Sequence, residues 1–220
     1  MTAYAQMTEQ ERKEEYARLQ REFDALKAQG LSLNMARGKP GKAQLDMVSE
    51  GLFSVMNKPE DFISDGIGCR NYGELAGLPA ARRLFAEILG CKPEQVFVGG
   101  NASLQLMYDS ISKAVTHGLL HSQRPWKEEK GLKWLCPAPG YDRHFKVTES
   151  FGVEMISVPM TADGPDMDQV EALIKDPAVK GMWNVPKYSN PEGVIYSAAT
   201  IDRLAKMKPA APDFMLMSAP

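Results

Sequence analysis

Short apolar runs alternate with amphipathic segments along most of this chain. The short runs are typical of strands buried on both faces, and segments with an apolar residue every three or four positions are typical of helices. The predicted strands cover residues 95–98, 132–136, 153–158, 179–185 and 214–217, and the predicted helices cover residues 79–89, 103–120, 141–151, 166–175 and 198–206. Strands separated by helices predict βαβ units, so we expect an α/β fold, a three-layer sandwich with a mostly parallel sheet between helices.

A longer amphipathic segment comes before this alternating region. Thr8 and Glu11 have the spacing of a capping box, which starts a helix, and Gly30 is suited to end that helix. From Tyr16 onward, apolar residues recur at helical spacing, and the opposite face is rich in Glu, Arg and Lys. We therefore expect an amphipathic N-terminal helix with a solvated polar face.

The segment after this helix divides the chain. An Arg-Gly-Lys-Pro-Gly loop at residues 37–41 leads to a second predicted helix at residues 45–56. Residues 61–77 are glycine-rich and irregular before the alternation begins. We therefore predict an N-terminal arm at residues 1–60 and a sheet domain at residues 61–220.

The composition excludes several classes of partner. Of the 220 residues, 44% are hydrophobic and 25% are charged, and the formal net charge is −2, which offers no basic surface to a nucleic acid. No apolar run reaches the length of a membrane span, and the polar N-terminus lacks the apolar core of a signal peptide. The three widely spaced cysteines indicate reduced thiols. We expect a cytoplasmic protein with no nucleic-acid partner and no membrane partner.

A candidate anion site lies between the first predicted strand and the helix predicted to begin at Ser103. The Gly-Gly-Asn-Ala-Ser turn at residues 99–103 would present the unpaired N–H groups of the helix N-terminus, where the helix dipole favours an anion. Its small residues let a phosphate approach the backbone, and the Ser103 hydroxyl can donate as well. The same turn could be a plain helix cap, so spacing alone leaves both interpretations open.

Three further side chains follow strands or lie in loops. Tyr141 follows the strand predicted at residues 132–136, and it could stack on a planar ligand or pack on the helix that it begins. Asn190 lies in an Asn-Pro-Glu-Gly turn after a predicted strand, at the sheet edge where α/β folds bind ligands. The hydroxyl of Tyr72, in a glycine-rich loop, could reach a phosphate, or the ring could cover the core.

Taken in order, these segments resemble the pyridoxal-phosphate-dependent aminotransferases of fold type I, class I/II. They are most similar to a subgroup of bacterial aspartate aminotransferases that carries an Arg-Gly-Lys-Pro loop near the N-terminus. Four motifs carry the resemblance: Tyr72 with Gly77, the Asn101-Ala102-Ser103 turn, the Pro139-Gly140-Tyr141 segment, and the Asn190-Pro191-Glu192-Gly193 motif. The similarity spans about residues 33–214, and the four motifs in order are more specific than any one of them.

The resemblance implies a role for each matching residue. Three residues, Asn101, Ala102 and Ser103, would hold the phosphate of pyridoxal 5'-phosphate. Tyr141 would stack on the cofactor ring, and Asn190 would hydrogen-bond the phenolic oxygen of the ring.

The resemblance also implies contacts beyond this part of one subunit. In a homodimer, Tyr72 would reach the cofactor phosphate of the neighbouring subunit. Arg37 and Gly38 would lie near the substrate, and residues 1–60 would belong in part to the small domain. Residues 61–220 would form an incomplete cofactor-binding large domain. The implied reaction exchanges an amino group between an amino acid, expected to be aspartate, and a 2-oxo acid.

Two residue types that the family requires do not appear at matching positions. The family pairs an Asp with the ring nitrogen of the cofactor, and Ala219 falls near that position here. No lysine matches the family's Schiff-base lysine, and the position of that lysine lies beyond residue 220. We therefore expect a C-terminally truncated fragment with no catalytic residue present and little or no transaminase activity.

Other functions are compatible with parts of the pattern. The chain could be a non-catalytic binding or dimerisation module derived from the same fold. An unrelated nucleotide-binding α/β domain is disfavoured, because the first strand–helix junction has neither GxGxxG nor GxxxxGK[ST]. His117 and His121 have a spacing that metals can use, but no cysteine or carboxylate cluster completes the set, so no metal is expected.

Overall fold

The computed structural model describes residues 4–33 and 38–219. By compactness the chain divides into two units, Met1–Asn71 and Tyr72–Pro220. The division predicted at residue 60 stays a prediction. Among the described residues, no helix has both the length and the apolar character that crossing a bilayer requires.

The first unit contains the two predicted helices, α1 (Glu9–Ala28) and α2 (Lys42–Ser54), and a short antiparallel pair of strands, β1 (Ile63–Ser64) and β2 (Ile67–Gly68). The capping box is confirmed, because the Thr8 hydroxyl accepts from the Glu11 N–H and the Glu11 carboxylate accepts from the Thr8 N–H. Gly30 has φ 61 just after α1, as expected of a helix stop. No described residue of this unit is buried, so its helices contribute little to a core.

The second unit carries the sheet. Four strands run parallel in the order β4 (Glu154–Thr161), β3 (Lys133–Ala138), β6 (Val179–Asn184) and β7 (Met215–Ser218), and β5 (Gly164–Pro165) pairs antiparallel with β4. The helices are α3 (Pro79–Leu89), α4 (Ser103–His117), α5 (Asp142–Glu149), α6 (Met167–Leu173) and α7 (Ala198–Lys206). The predicted α/β class with a mostly parallel sheet is therefore confirmed.

Each face of the sheet has its own apolar cluster. Trp134 and Cys136 of β3 belong to the cluster that includes residues of α4 and α5. Leu135, between them, belongs to the cluster that includes residues of α6 and α7. Successive side chains of a strand point to opposite faces, so the apolar run in β3 supplies both cores and the sheet lies between two helical layers.

The strand predicted at residues 95–98 is wrong. The Val96 N–H closes a turn on Pro93, and the Val96 carbonyl accepts from the Arg82 guanidinium at 3.0 Å. The Val98 N–H donates to the Ala76 carbonyl, which lies in a loop. An apolar run forms a strand where a neighbouring strand takes its backbone groups, and among the described residues no strand pairs with this one.

A buried charged cluster holds the amino-terminal ends of β6 and β7 together. Lys180, the second residue of β6, lies 3.0 Å from Asp213 and 2.8 Å from Glu129. The other carboxylate oxygen of Asp213 accepts from the Ser122 hydroxyl at 2.6 Å and from the Trp126 indole at 2.8 Å. Because Asp213 precedes β7 and Lys180 lies in β6, this cluster fixes how the two strands enter the sheet.

Hydrogen bonds decide the charge state of this cluster. Burial by itself would raise the pKa of Asp213, but the hydrogen bonds from Ser122, Trp126 and Lys180 outweigh it and hold that pKa below its usual value. Burial would likewise lower the pKa of Lys180, but its bonds to Glu129 and Asp213 raise it. Both groups are therefore ionised at neutral pH.

Candidate functional site

A cleft lies at the carboxyl ends of β3 and β6, with about 290 Å³ of empty space, part of it open to solvent. Its walls come from the turn after β3, the first turn of α5, the end of β6 and the loop after β6. In parallel α/β sheets this edge is where ligands bind, because helix N-termini and strand-end loops meet there. The position of the cleft therefore agrees with the sequence-based expectation.

The sequence left two interpretations of Tyr141 open, and its position in the structure is compatible with both. It is the residue before α5, and its ring meets the His144 ring edge-on, with the centroids 5.0 Å apart and an angle of 89°. It also lines the cleft. The ring thus packs on the helix that it begins and still faces the space where a planar ligand would lie.

His144 is a site residue to which the sequence assigned no role. Its side chain is 5% exposed, and its ring lies 5.4 Å from the Trp183 ring, at the end of β6. Burial lowers the pKa of His144 below its usual 6.5, so the imidazole is neutral at neutral pH. It follows the N-cap residue Tyr141 by three positions, and this spacing was the signal that could have placed it beside that ring.

Gly140 lets the turn after β3 close beneath Tyr141. A Cβ atom at this position would lie 2.2 Å from the Pro137 carbonyl oxygen and 2.8 Å from the Phe145 ring. Both distances are far shorter than a van der Waals contact. A side chain at residue 140 would therefore push the turn, and with it Tyr141, out of place.

Asn190 lies in the loop after β6, and it lines the cleft from an exposed position. Ser189 fixes this loop, because its N–H donates to the Val194 carbonyl and its carbonyl accepts from the Gly193 N–H. Its hydroxyl also accepts from the Val194 N–H at 3.0 Å. Gly193 has φ 72, a conformation that glycine adopts without strain. The predicted turn is confirmed, and it holds Asn190 in the lining of the cleft.

Asn184 is the feature that sequence reasoning missed. It is the last residue of β6 and is 2% exposed, and neither its amide nitrogen nor its amide oxygen has a hydrogen-bond partner among the described residues. Leaving a buried polar group unpaired costs roughly 1–3 kcal/mol. Because Asn184 lines the cleft, a ligand there could supply the missing partners.

The candidate phosphate turn is a helix N-terminus, as predicted. Ser103 is the first residue of α4, and the residue before it, Ala102, makes no side-chain cap. Asn101, Ala102 and Ser103 are all exposed. A Cβ atom at Gly100 would meet no described atom within 4 Å, which leaves the backbone open to a ligand. These residues lie outside the lining of the cleft, so their role stays a prediction.

Tyr72, another predicted site residue, lies outside the lining of the cleft. The side chain of Tyr72 is 98% exposed. Gly38 belongs to the first unit, and Arg37 lies outside the described residues. The substrate-side role of Arg37 and Gly38 therefore stays a prediction.

Comparison with known sequences gives one consistent answer. A family model described as aspartate amino-transferase matches residues 7–219. A Mycolicibacterium smegmatis protein named as an aminotransferase is 51% identical over 201 residues, which are 90% of this chain and 47% of that protein. The aspartate aminotransferase of Corynebacterium glutamicum is 48% identical over 199 residues, or 90% of this chain and 46% of that enzyme. The chain therefore spans about half the length of the curated relatives it matches.

Solved structures agree with the sequence comparison. The crystal structure of an aspartate transaminase from Corynebacterium glutamicum superposes with a TM-score of 0.85 at 46% identity, over 96% of this chain and 49% of that one. Cystalysin from Treponema denticola, whose crystal structure contains pyridoxal 5'-phosphate, superposes with a TM-score of 0.54 at 12% identity, over 86% of this chain and 42% of that one. The second likeness shows that the fold is shared and nothing finer.

Proposed function

Because the chain belongs to the aspartate aminotransferase family, we propose that it binds pyridoxal 5'-phosphate in the cleft at the carboxyl ends of β3 and β6. The observation that carries this proposal is that Tyr141 and Asn190 both line that one cleft. An aromatic ring and an amide are the groups that the resemblance assigns to the ring of the cofactor. The close packing around Gly140 supports the proposal, because it fixes the turn that leads to Tyr141.

The residues of this chain have separate tasks in binding. Tyr141 covers a face of the ring and excludes water from it, and Asn190 hydrogen-bonds the phenolic oxygen. The unpaired N–H groups at the start of α4, with the Ser103 hydroxyl, hold the phosphate. When bound, pyridoxal phosphate supplies an electron sink that lets an amino acid lose its α-proton.

We propose that the complete enzyme transfers an amino group between aspartate and a 2-oxo acid. The aspartate aminotransferase name of the Corynebacterium glutamicum relative supports this substrate. The complete enzyme would be a homodimer in which Tyr72 reaches the partner's cofactor, and the exposure of Tyr72 is compatible with that role. Sedimentation of the active enzyme as a monomer would contradict this arrangement.

The 220-residue chain alone is proposed to hold the cofactor without a covalent bond. Among the described residues that line the cleft, none is a lysine, and Lys187 lies in the loop after β6 outside that lining. A covalent link to the cofactor requires a lysine amine in contact with the aldehyde. The chain on its own is therefore a binding module without turnover.

Titration of the purified chain with pyridoxal phosphate tests this proposal. Binding is expected to quench the fluorescence of Trp183, which lines the cleft. Borohydride reduction followed by mass spectrometry is expected to find no single lysine labelled in proportion to the bound cofactor, and no amino transfer from aspartate is expected. Absence of saturable quenching would contradict binding, and one stoichiometrically labelled lysine would contradict the non-covalent mode.

A Ser103→Asp variant tests the phosphate turn separately. The added charge at the start of α4 is expected to weaken binding of pyridoxal phosphate by about tenfold or more through repulsion of the phosphate. Binding of pyridoxal, which has no phosphate, is expected to stay the same. The melting temperature is expected not to fall, because an acidic residue in the first turn stabilises a helix.

Thr116→Asp, at the other end of the same helix, is the matched control for the change in charge. It is expected to leave the ratio of the two affinities unchanged. Equal weakening of pyridoxal and pyridoxal phosphate by Ser103→Asp would show that this turn does not hold the phosphate.

A further inference from the structure

The buried amide of Asn184 is unexplained by the roles assigned so far. Its two polar atoms have no partner among the described residues, although the residue is 2% exposed and lines the cleft. Its backbone is not the cause, because its carbonyl accepts from the Ala219 N–H at 2.9 Å. A buried polar side chain without a partner at a concave site points to a missing ligand group.

We infer that Asn184 hydrogen-bonds the ring nitrogen of the bound cofactor, an inference that rests on the proposed function. The phosphate and the phenolic oxygen of the cofactor already have assigned partners, at the start of α4 and at Asn190. The ring nitrogen is left without one. Asn184 is the side chain left without partners in the same cleft, so the two unmet requirements match.

The neighbouring strand supports this assignment. Asn184 pairs with Ser218 in the parallel register of β6 and β7, and the residue that follows β7 is Ala219. Ala219 offers no polar side chain at the position where the family resemblance expects an acid. Ser218 is exposed and lies outside the lining of the cleft, so Asn184 is the polar side chain of this corner of the described sheet that lines it.

A neutral amide and a carboxylate affect a pyridine nitrogen differently. A carboxylate favours the protonated nitrogen, because opposite charges attract. The Asn184 amide can donate its N–H to an unprotonated nitrogen, which needs no charge in the cleft. In this chain Asn184 therefore positions the ring and leaves its nitrogen neutral.

The test compares pyridoxal phosphate with its deaza analogue, in which a C–H group replaces the ring nitrogen. Titrations followed by Trp183 fluorescence are expected to show that the unmodified chain binds pyridoxal phosphate about tenfold more tightly than the analogue. This factor corresponds to the free energy of one buried hydrogen bond. Asn184→Leu is expected to weaken binding of pyridoxal phosphate by about the same factor and to leave the analogue unchanged. The variant without ligand is expected to melt no lower than the unmodified chain, since it removes unpaired buried polar atoms.

Two variants serve as controls. Met182→Leu, a buried neighbour in β6 outside the cleft lining, is expected to change neither affinity. Asn190→Ala is expected to weaken both compounds equally, because both carry the phenolic oxygen. If Asn184→Leu does not fold, Asn184→Asp keeps the shape and is expected to retain the preference for pyridoxal phosphate.

The outcomes separate this inference from the function on which it rests. Equal binding of the two compounds by the unmodified chain, or an Asn184→Leu variant that keeps the preference, overturns the role of Asn184 and leaves cofactor binding intact. Failure of the unmodified chain to bind either compound overturns the proposed function and this inference with it.

Discussion

Replacing Asp213 with alanine is expected to lower the free energy of unfolding by about 3–5 kcal/mol, the usual cost of breaking a buried ion pair. Lys180 would keep Glu129 as a partner but lose the carboxylate 3.0 Å away. The buried Trp126 indole and the Ser122 hydroxyl would lose their acceptor. Urea denaturation followed by tryptophan fluorescence measures the change.

Asp202→Ala is the matched control for this substitution. It removes the partner of Lys206 in a pair whose side chains are 65% and 74% exposed. Exposed pairs contribute about 0–1 kcal/mol, so the control is expected to unfold at nearly the same urea concentration as the unmodified chain. Equal losses in the two variants would show that the Lys180 cluster contributes no more than a surface pair.

The pH dependence of the Asp213→Ala effect follows from the two shifted pKa values. The folded pKa of Asp213 lies below its usual 3.8, so the carboxylate contributes fully above that value and its contribution is lost as the pH falls through the folded pKa. The pKa of Lys180 is raised above 10.5, so its contribution is lost as the pH rises through that folded pKa. The difference in the free energy of unfolding between the variant and the unmodified chain is therefore expected to be constant between these two pKa values and to shrink at lower pH.

The second large effect is expected at Gly181, in the middle of β6. A Cβ atom there would lie 2.4 Å from the ring of Trp134, its register partner in β3. It would also lie 2.5 Å from the Met215 carbonyl oxygen in β7. Trp134 is fully buried and the carbonyl belongs to the sheet backbone, so neither can move at low cost. Gly181→Ala is expected to destabilise the unit by about 3 kcal/mol, the upper end for overpacked cores, as measured by urea denaturation.

Gly100→Ala provides the comparison for this prediction. A Cβ atom at Gly100 meets nothing within 4 Å, so its effect on the free energy of unfolding is expected to be within about 0.5 kcal/mol. A Gly181→Ala variant as stable as Gly100→Ala would mean that the contact between Trp134 and β6 is looser than the structure shows. Because β6 ends at Asn184, strain at Gly181 is also expected to disturb the cleft.

The periodicity of apolar residues was enough to predict most of this fold. The parallel strands β3, β4, β6 and β7 lie within a few residues of their predicted positions, because buried strands leave continuous apolar runs. The capping box at Thr8 located the start of α1 to the residue. The turns that carry Tyr141 and Asn190 followed from the local preferences of proline and glycine.

The pattern of apolar residues could not predict which strands and side chains pair with each other. Residues 95–98 have a strand-like composition, but a strand exists through its neighbour, and here Arg82 takes the Val96 carbonyl instead. Lys180 lies within an apolar run, and its partners Glu129 and Asp213 are far away in sequence. Asn184 lies within the strand predicted at residues 179–185. Its burial without hydrogen-bond partners is visible only in the three-dimensional structure.

A crystal structure of the chain grown with pyridoxal phosphate would show whether the cofactor is held at the carboxyl ends of β3 and β6, as we propose. We expect the ring to lie against Tyr141, between Asn184 and Asn190, with the phosphate at the start of α4 beside Ser103. Cofactor bound elsewhere on the chain, with the cleft empty in a crystal of the saturated protein, would contradict it.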